Sequence, residues 1–292
     1  MSEDNYKDLM RFSKDIGISP DRLVKAYKIE KEFHNKIQKE LSLQKRKKMY
    51  EEVYTTVHKS YGKTEIDIDI LPNPKDKLVR LFKKELHGKS ILDVGCGAGY
   101  FLASVTKQLH NPVLVGIDVS IPEKSLCRKD IKFIKADIIE FNLNQKFDII
   151  FADQVIEHIV PEDLQLFLES IKKSLNESGK FIMLLPNRLF GPSDVTRIKD
   201  YSYTGKIEAE GTHLNEATYT ELLPILKENG FYKFKTILPI PKLNYLFSMI
   251  RINPGVLKYV ENNIILMKLI YKMKYKRRPL FKFDTVIICT LN

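Results

Sequence analysis

Residues 91–101 read Ile-Leu-Asp-Val-Gly-Cys-Gly-Ala-Gly-Tyr-Phe. Four residues fit for a buried strand run into three alternating glycines. Glycine reaches backbone conformations closed to other residues and lets another group approach the main chain closely. A strand ending in such a loop and followed by a helical pattern restricts the chain to α/β folds with an open strand end.

The remaining pattern agrees. Strand-like runs are expected at Ser90–Val94, Val113–Asp118, Ile131–Lys135, Phe147–Ala152, Lys180–Leu185, Phe231–Leu238 and Thr285–Leu291. Helical runs fall between most of them, at Tyr100–His110, Glu162–Leu175 and Thr218–Asn229. Alternation of this kind predicts a Rossmann-like, doubly wound sheet covered on both faces. Before it, residues 1–75 carry charged helix-favouring segments without strand signals. Ser19-Pro20-Asp21 is a helix-start signal. Leu23, Ala26, Ile29, Phe33, Ile37 and Leu41 then recur at helical spacing. The expected organisation is an N-terminal helical cap over 1–75 and a main domain over 76–292, with insertions at about 190–212 and 241–282.

In a doubly wound sheet, ligands bind beyond the carboxyl ends of the strands. The dinucleotide fingerprint GxGxxG would place its last glycine at position 100, where this chain has Tyr100. No Lys-Ser/Thr follows the loop, which excludes a phosphate-binding P-loop. Asp118 ends the second strand, 21 positions after Gly97, where a carboxylate can accept from ribose hydroxyls. Asp137 follows the third strand and can accept from an adenine amino group, with Ile138 stacking on the ring.

ILDVGCGAGYF, then GIDVS, KADI and FDIIFADQVIEHI, resemble the successive motifs of class I S-adenosylmethionine-dependent methyltransferases. The resemblance spans about residues 75–292, including the terminal FDTVIICTLN. It implies a seven-stranded sheet whose last strand is antiparallel, with S-adenosylmethionine as cofactor. It further implies that Asp93, Gly95, Cys96, Gly97 and Gly99 cradle the methionine end. Asp118 and Val119 would hold the ribose, Asp137 and Ile138 the adenine, with Asp153 completing the site.

A sulfonium methyl is already activated, so the enzyme chiefly aligns a nucleophile with it. A hydroxyl nucleophile must also lose a proton. Gln154, Glu157 and His158 are spaced to share a helix face, and His213 follows in EGTHLNEATYTELL. The VIEHI and GTH elements resemble ubiquinone-pathway O-methyltransferases, and the Glu-His pair with a later His resembles small-RNA 2′-O-methyltransferases. Those groups hold a divalent ion through Glu-x-x-Glu-His. Here Gln154 stands where the first Glu should be, so one hard-cation ligand is lost. The expectation is therefore a general base, His158 or His213, supported by Glu157, rather than a metal held by Glu157, His158 and His213.

Charge is concentrated late in the chain. Between Pro241 and Lys282 ten bases face one acid, Glu261, a net +9 of the chain's +11. A helical lid over the substrate is the first expectation for this segment. An amphipathic surface on an anionic membrane and an RNA footprint are the alternatives, the last disfavoured because the segment is too apolar. The LPN strand end, the HLNEATYTELL helix and the late insertion resemble methyltransferases of glycan, lipid-glycan and natural-product pathways. The acceptor expected is thus a small molecule, glycan or lipid-linked hydroxyl. Three cysteines without CxxC spacing, no apolar run of membrane-spanning length and an acidic N-terminus suggest a cytoplasmic protein, at most membrane-peripheral. A cofactor-binding module without catalysis is the reading from a different class; the intact loop and both acids argue against it.

Overall fold

The computed structural model describes residues 3–60, 68–239, 247–275 and 278–291. Part of the basic segment (241–246, 276 and 277) and the end of the expected cap helix at Tyr61 lie outside the described residues. Seven strands form one sheet: β1 Ile91–Val94, β2 Leu114–Asp118, β3 Lys132–Lys135, β4 Phe147–Asp153, β5 Leu175–Leu185, β6 Phe231–Lys235 and β7 Thr285–Leu291. Their order is β3-β2-β1-β4-β5-β7-β6. β7 runs antiparallel to both β5 and β6, and the other pairings are parallel. This is the topology that the resemblance implies.

β1 is the centre of the arrangement. It pairs with β2 on one side and β4 on the other, and all four of its residues are buried. A strand covered on both faces must be apolar throughout, so Asp93 inside it is an exception that function has to explain. Leu92 and Val94 join one core layer with Val115, Ile117 and Ile150. Ile91 joins the opposite layer with Ile149, Phe151, Ile182 and Ile288. In that layer Phe101, on helix α6 (Tyr100–Gln108 in chain order), stacks on Phe151 at 4.1 Å between centroids.

The cap is three helices, α1 Glu3–Ile16, α2 Pro20–Ile37 and α3 Leu43–Ser60. The continuous helical register expected from Asp21 to about Tyr61 is broken at residues 38–42. Leu41, counted on the apolar stripe, lies in that break and is 92% exposed. The cap does not stand apart from the main domain. Phe33, Ile37, Tyr50 and Val53 pack with Ile139 and Val160, and Leu9, Leu23 and Ala26 pack with Val195 and Ile198. α3 is further fixed by Arg46, whose Nε donates to Asp163 Oδ2 at 2.9 Å in a buried ion pair. Asp163 immediately precedes α8 Leu164–Ser174, the helix between β4 and β5. Short helices complete the succession: α4 Asp76–Leu81, α5 Lys83–Leu86 and α7 Glu123–Leu126, with α9 Tyr219–Glu228 between β5 and β6.

The basic insertion folds as two helices, α10 Gly255–Asn262 and α11 Ile264–Lys272. Leu257 and Met267 anchor them in the main core. The earlier insertion, about 190–212, is mostly irregular and its aromatics are packed: Phe190 is buried against Tyr271 and Phe283.

Removing the cation from a buried pair leaves an uncompensated charge, at a cost of roughly 3–5 kcal/mol. Arg46→Ala should therefore lower the unfolding free energy of the full chain by about that amount. Urea denaturation measures it; a loss below about 1 kcal/mol, the worth of an exposed pair, would mean that the clamp contributes little.

Candidate active site

The loops after β1, β2 and β4 meet at the carboxyl edge of the sheet, where two adjoining chambers open. One, of about 150 Å³, is bounded by Gly95, Gly97, Asp118, Gln154 and Val155. The other, of about 370 Å³, is bounded by Asp137, Ile138 and Ile159 on one side and α3 on the other. Val119, Ile138 and His158 line both.

The glycines divide by role. A Cβ at Gly99 would lie 2.4 Å from the Phe133 ring, and at Gly95 2.6 Å from Val155, so both positions are needed for packing. A Cβ at Gly97 would meet no protein atom within 4 Å. Nothing among the described residues fills that space, and φ is +51° there. Gly97 thus presents bare backbone to the smaller chamber. Its N–H donates to Asp118 Oδ2 at 2.8 Å, while Ser120 N–H donates to Oδ1 at 2.9 Å. Cys96 turns inward and packs on Gly116, so the thiol lines neither chamber.

Three acids end three adjacent strands. Burial, then the nearby Asp153, push the Asp93 carboxyl well above its usual range, while the charge of Lys75 opposes them. Lys75 pairs with Asp153 at 2.5 Å. A ligand ammonium would relieve the same crowding. Asp137 accepts from the Ile139 amide at 2.9 Å and pairs with Lys47 of α3 at 2.6 Å. These features fit S-adenosylmethionine: a cradle with no side chain of its own, an acidic end, and two carboxylates spaced along a cleft.

The expected shared helix face of Gln154, Glu157 and His158 is not present. Residues 156–158 form a single 3-10 turn, and Gln154 lies before it with φ +60°. A 3-10 turn closes in three residues, too short to align position 154 with 157 and 158. Non-glycine residues held at positive φ concentrate at functional sites, and Gln154 lines the smaller chamber.

Glu157, His158 and His213 do come together, with potential ligand atoms all within 4.8 Å of one another. The turn and the GTH loop are joined by the Glu157 carbonyl, which accepts from Leu214 N at 2.6 Å and Asn215 N at 2.9 Å. His158 Nδ1 donates to the Thr212 carbonyl at 3.1 Å, and the two imidazoles meet edge to face. Burial, reinforced by charge on His213, holds His158 down to about 3, so the ring is neutral. With its proton on Nδ1, Nε2 carries the lone pair. Burial also opposes charge on His213, but its bond to Glu216 at 2.7 Å and the charges of Asp194 and Glu157 outweigh that and raise it to about 9. At neutral pH His213 is a cation and cannot serve as a base. Burial pushes Glu157 up to about 8, and neither carboxylate oxygen finds a hydrogen-bond partner. These three groups could hold a divalent cation only after Glu157 and His213 give up their protons, because metal ligands must be deprotonated.

Sequence reasoning did not find the supports. Glu30 of α2 accepts from Thr212 N at 3.1 Å, and Asp194 from Gly211 N at 2.8 Å. Lys47, Tyr50 and Glu51 of α3 wall the larger chamber. Nothing in one sequence separates such residues from the solvated face of an amphipathic helix.

The methyltransferase-domain family matches residues 69–235. N-methyltransferase 4 of Papaver somniferum is 27% identical over 137 residues, 43% of this chain and 38% of that one. The ubiquinone biosynthesis O-methyltransferase of Rickettsia bellii is 28% identical over 103 residues, 34% of this chain and 42% of that one. The chain thus matches less than half the length of either relative. Burkholderia thailandensis 1,6-didemethyltoxoflavin-N1-methyltransferase, solved with its substrate and S-adenosylhomocysteine, superposes with a TM-score of 0.53 at 12% identity, covering 87% of this chain and 92% of that one. At that identity the likeness is one of fold.

The two glycine roles are separable. Gly97→Ala should cost only about 1 kcal/mol of stability and weaken S-adenosylhomocysteine binding at least tenfold. Gly99→Ala should cost roughly 2–4 kcal/mol through the clash with Phe133. Thermal unfolding with calorimetric titration checks both; an undiminished affinity in Gly97→Ala would refute the close approach.

Proposed function

The chain belongs to the class I S-adenosylmethionine-dependent methyltransferase family, and we propose that it methylates a hydroxyl oxygen of a small-molecule acceptor. The observation carrying this reading is His158, a neutral imidazole on the wall of both chambers. A hydroxyl must give up a proton as it is methylated, and a neutral imidazole can take it.

Gly97, Asp118 and Asp137 would hold the cofactor across the strand ends, with Asp93 and Asp153 facing its amino group. The cofactor supplies a methyl on a positively charged sulfur. His158 Nε2 would take the proton of the acceptor hydroxyl as its oxygen is methylated. The burial that keeps His158 neutral also makes it a weak base. Acidic hydroxyls, phenols or enols, are therefore the acceptors best matched to it. The cation on His213 stabilises negative charge developing beside it, and Glu30, Asp194 and Glu216 position that loop.

A second reading rests on the orphaned Glu157 carboxylate. Glu157, His158 and His213 would together hold a divalent cation, which would polarise the acceptor oxygen directly. The N-methyltransferases among the relatives favour a nitrogen acceptor, the alternative atom.

The test uses purified full chain, S-adenosylmethionine with a labelled methyl, and a panel of phenols and amines, each with magnesium and with EDTA. His158→Ala should reduce methyl transfer to phenols by 10²–10⁴-fold and leave S-adenosylhomocysteine affinity unchanged. Transfer only to amines, or full turnover in His158→Ala, would overturn the reading. Activity abolished by EDTA would establish the metal in place of the base. Asp118→Ala should weaken S-adenosylhomocysteine by about 1–3 kcal/mol in the same calorimetric assay.

A further inference from the structure

The surface of the α10–α11 insertion is unlike that of the rest of the protein. At about 100° per residue, Met267, Ile270 and Tyr271 of α11 fall on one side, where they pack on the main core. Ile265, Lys268, Leu269 and Lys272 fall on the other side, within an arc of about 100°, with Ile264 at its edge. Ile264 and Ile265 are 68% and 67% exposed and Leu269 50%. On α10, Leu257 is buried while Val256 and Tyr259 are 53% and 66% exposed. A helix apolar all round is ordinarily buried all round. Here the inward face already satisfies folding, so the outward face has another use.

Charge identifies that use. Among the described residues 247–275 the only acid is Glu261, and it is turned inward. Its carboxylate accepts from the Tyr219 and Thr220 amides at 3.1 Å and from Asn187, capping α9. Of the five bases in that stretch, Arg251 is turned inward onto Glu85 and Lys274 donates to the Ser202 carbonyl; Lys268 and Lys272 lie on the outward arc of α11, with no acid among them. Exposed isoleucine and leucine flanked by lysines suit a layer of hydrocarbon beneath anionic headgroups: the apolar tips insert and the lysines stay at headgroup level. Nucleic acid would leave the isoleucines unburied. We propose that this face docks the protein on an anionic lipid bilayer.

The placement gives the docking a purpose. Asn187 and Leu189 follow β5 at the carboxyl edge of the sheet, and the Tyr271 hydroxyl donates to the Leu189 carbonyl at 2.8 Å. The corollary, that the acceptor hydroxyl belongs to a lipid-embedded molecule, rests on the methyltransferase reading; the docking itself does not.

Sedimentation with vesicles tests it, using the full chain, phosphatidylcholine vesicles with and without phosphatidylglycerol, and low and raised salt. The full chain should sediment with the phosphatidylglycerol vesicles, less at raised salt, and little with phosphatidylcholine alone. Ile265→Asp with Leu269→Asp should cut the partition coefficient at least tenfold. Lys268→Glu with Lys272→Glu should cut it by a similar factor, since each lysine near an anionic surface is worth about fivefold. Both double variants alter only outward residues and should keep S-adenosylhomocysteine affinity, which reports on folding. No sedimentation of the full chain, or equal sedimentation of the variants, overturns the proposal. So does a dimer that the aspartate pair dissociates, because the face would then be a self-association surface. Vesicle binding without S-adenosylhomocysteine binding would sink the enzymatic reading and leave the docking surface standing; the converse would sink the surface alone.

Discussion

The pairing of β1 with β2 on one side and β4 on the other is the constraint on which the remainder depends. Because the chain leaves β1 in one direction and returns on the other side, the loops at the carboxyl ends diverge and a cleft opens between them. The same pairing crowds Asp93, Asp118 and Asp153 onto neighbouring strand ends. A sheet selected for stability alone would not place three carboxylates there. Burial holds the Asp93 carboxyl well above its usual range, Asp118 is tied to backbone amides, and Asp153 pairs with Lys75. A ligand carrying hydroxyls and an ammonium satisfies all three at once.

The cap completes what the sheet begins. Glu30 holds the GTH loop, so that His213 reaches the turn bearing His158, while Lys47 sits on Asp137. The cap is therefore part of the site, and its docking through Arg46 and the Phe33–Tyr50 cluster bears on activity as well as on stability. Lys47 pairs with Asp137, so an adenine bound there as proposed would have to displace this ion pair.

The strands, their order of appearance, the glycine loop and the acids after β2 and β3 were legible because each is a local pattern. A buried strand is an apolar run, and a bare turn needs glycine. Boundaries were less so: β5 begins at Leu175 rather than Lys180, because the pairing of Phe147 with Leu175 extends it. From Asp21 onward the cap was legible as helix but not as two helices broken at Leu41, because the apolar spacing continues through the turn. Glu157, His158 and His213 were identifiable by residue type, but their protonation was not. His213 is raised by Glu216, Asp194 and Glu157, and His158 is lowered by burial and by the charge of His213, surroundings that only the fold creates. The basic insertion was legible as unusual; that its one acid faces inward was not.

A crystal structure of the complex with S-adenosylhomocysteine tests the central claim most directly. The account predicts ribose hydroxyls on Asp118, backbone of Gly97 against the ligand, adenine beside Ile138 with Lys47 withdrawn from Asp137, and the sulfur facing the chamber wall that His158 forms. A ligand bound elsewhere, or one whose sulfur faces away from His158, would contradict it.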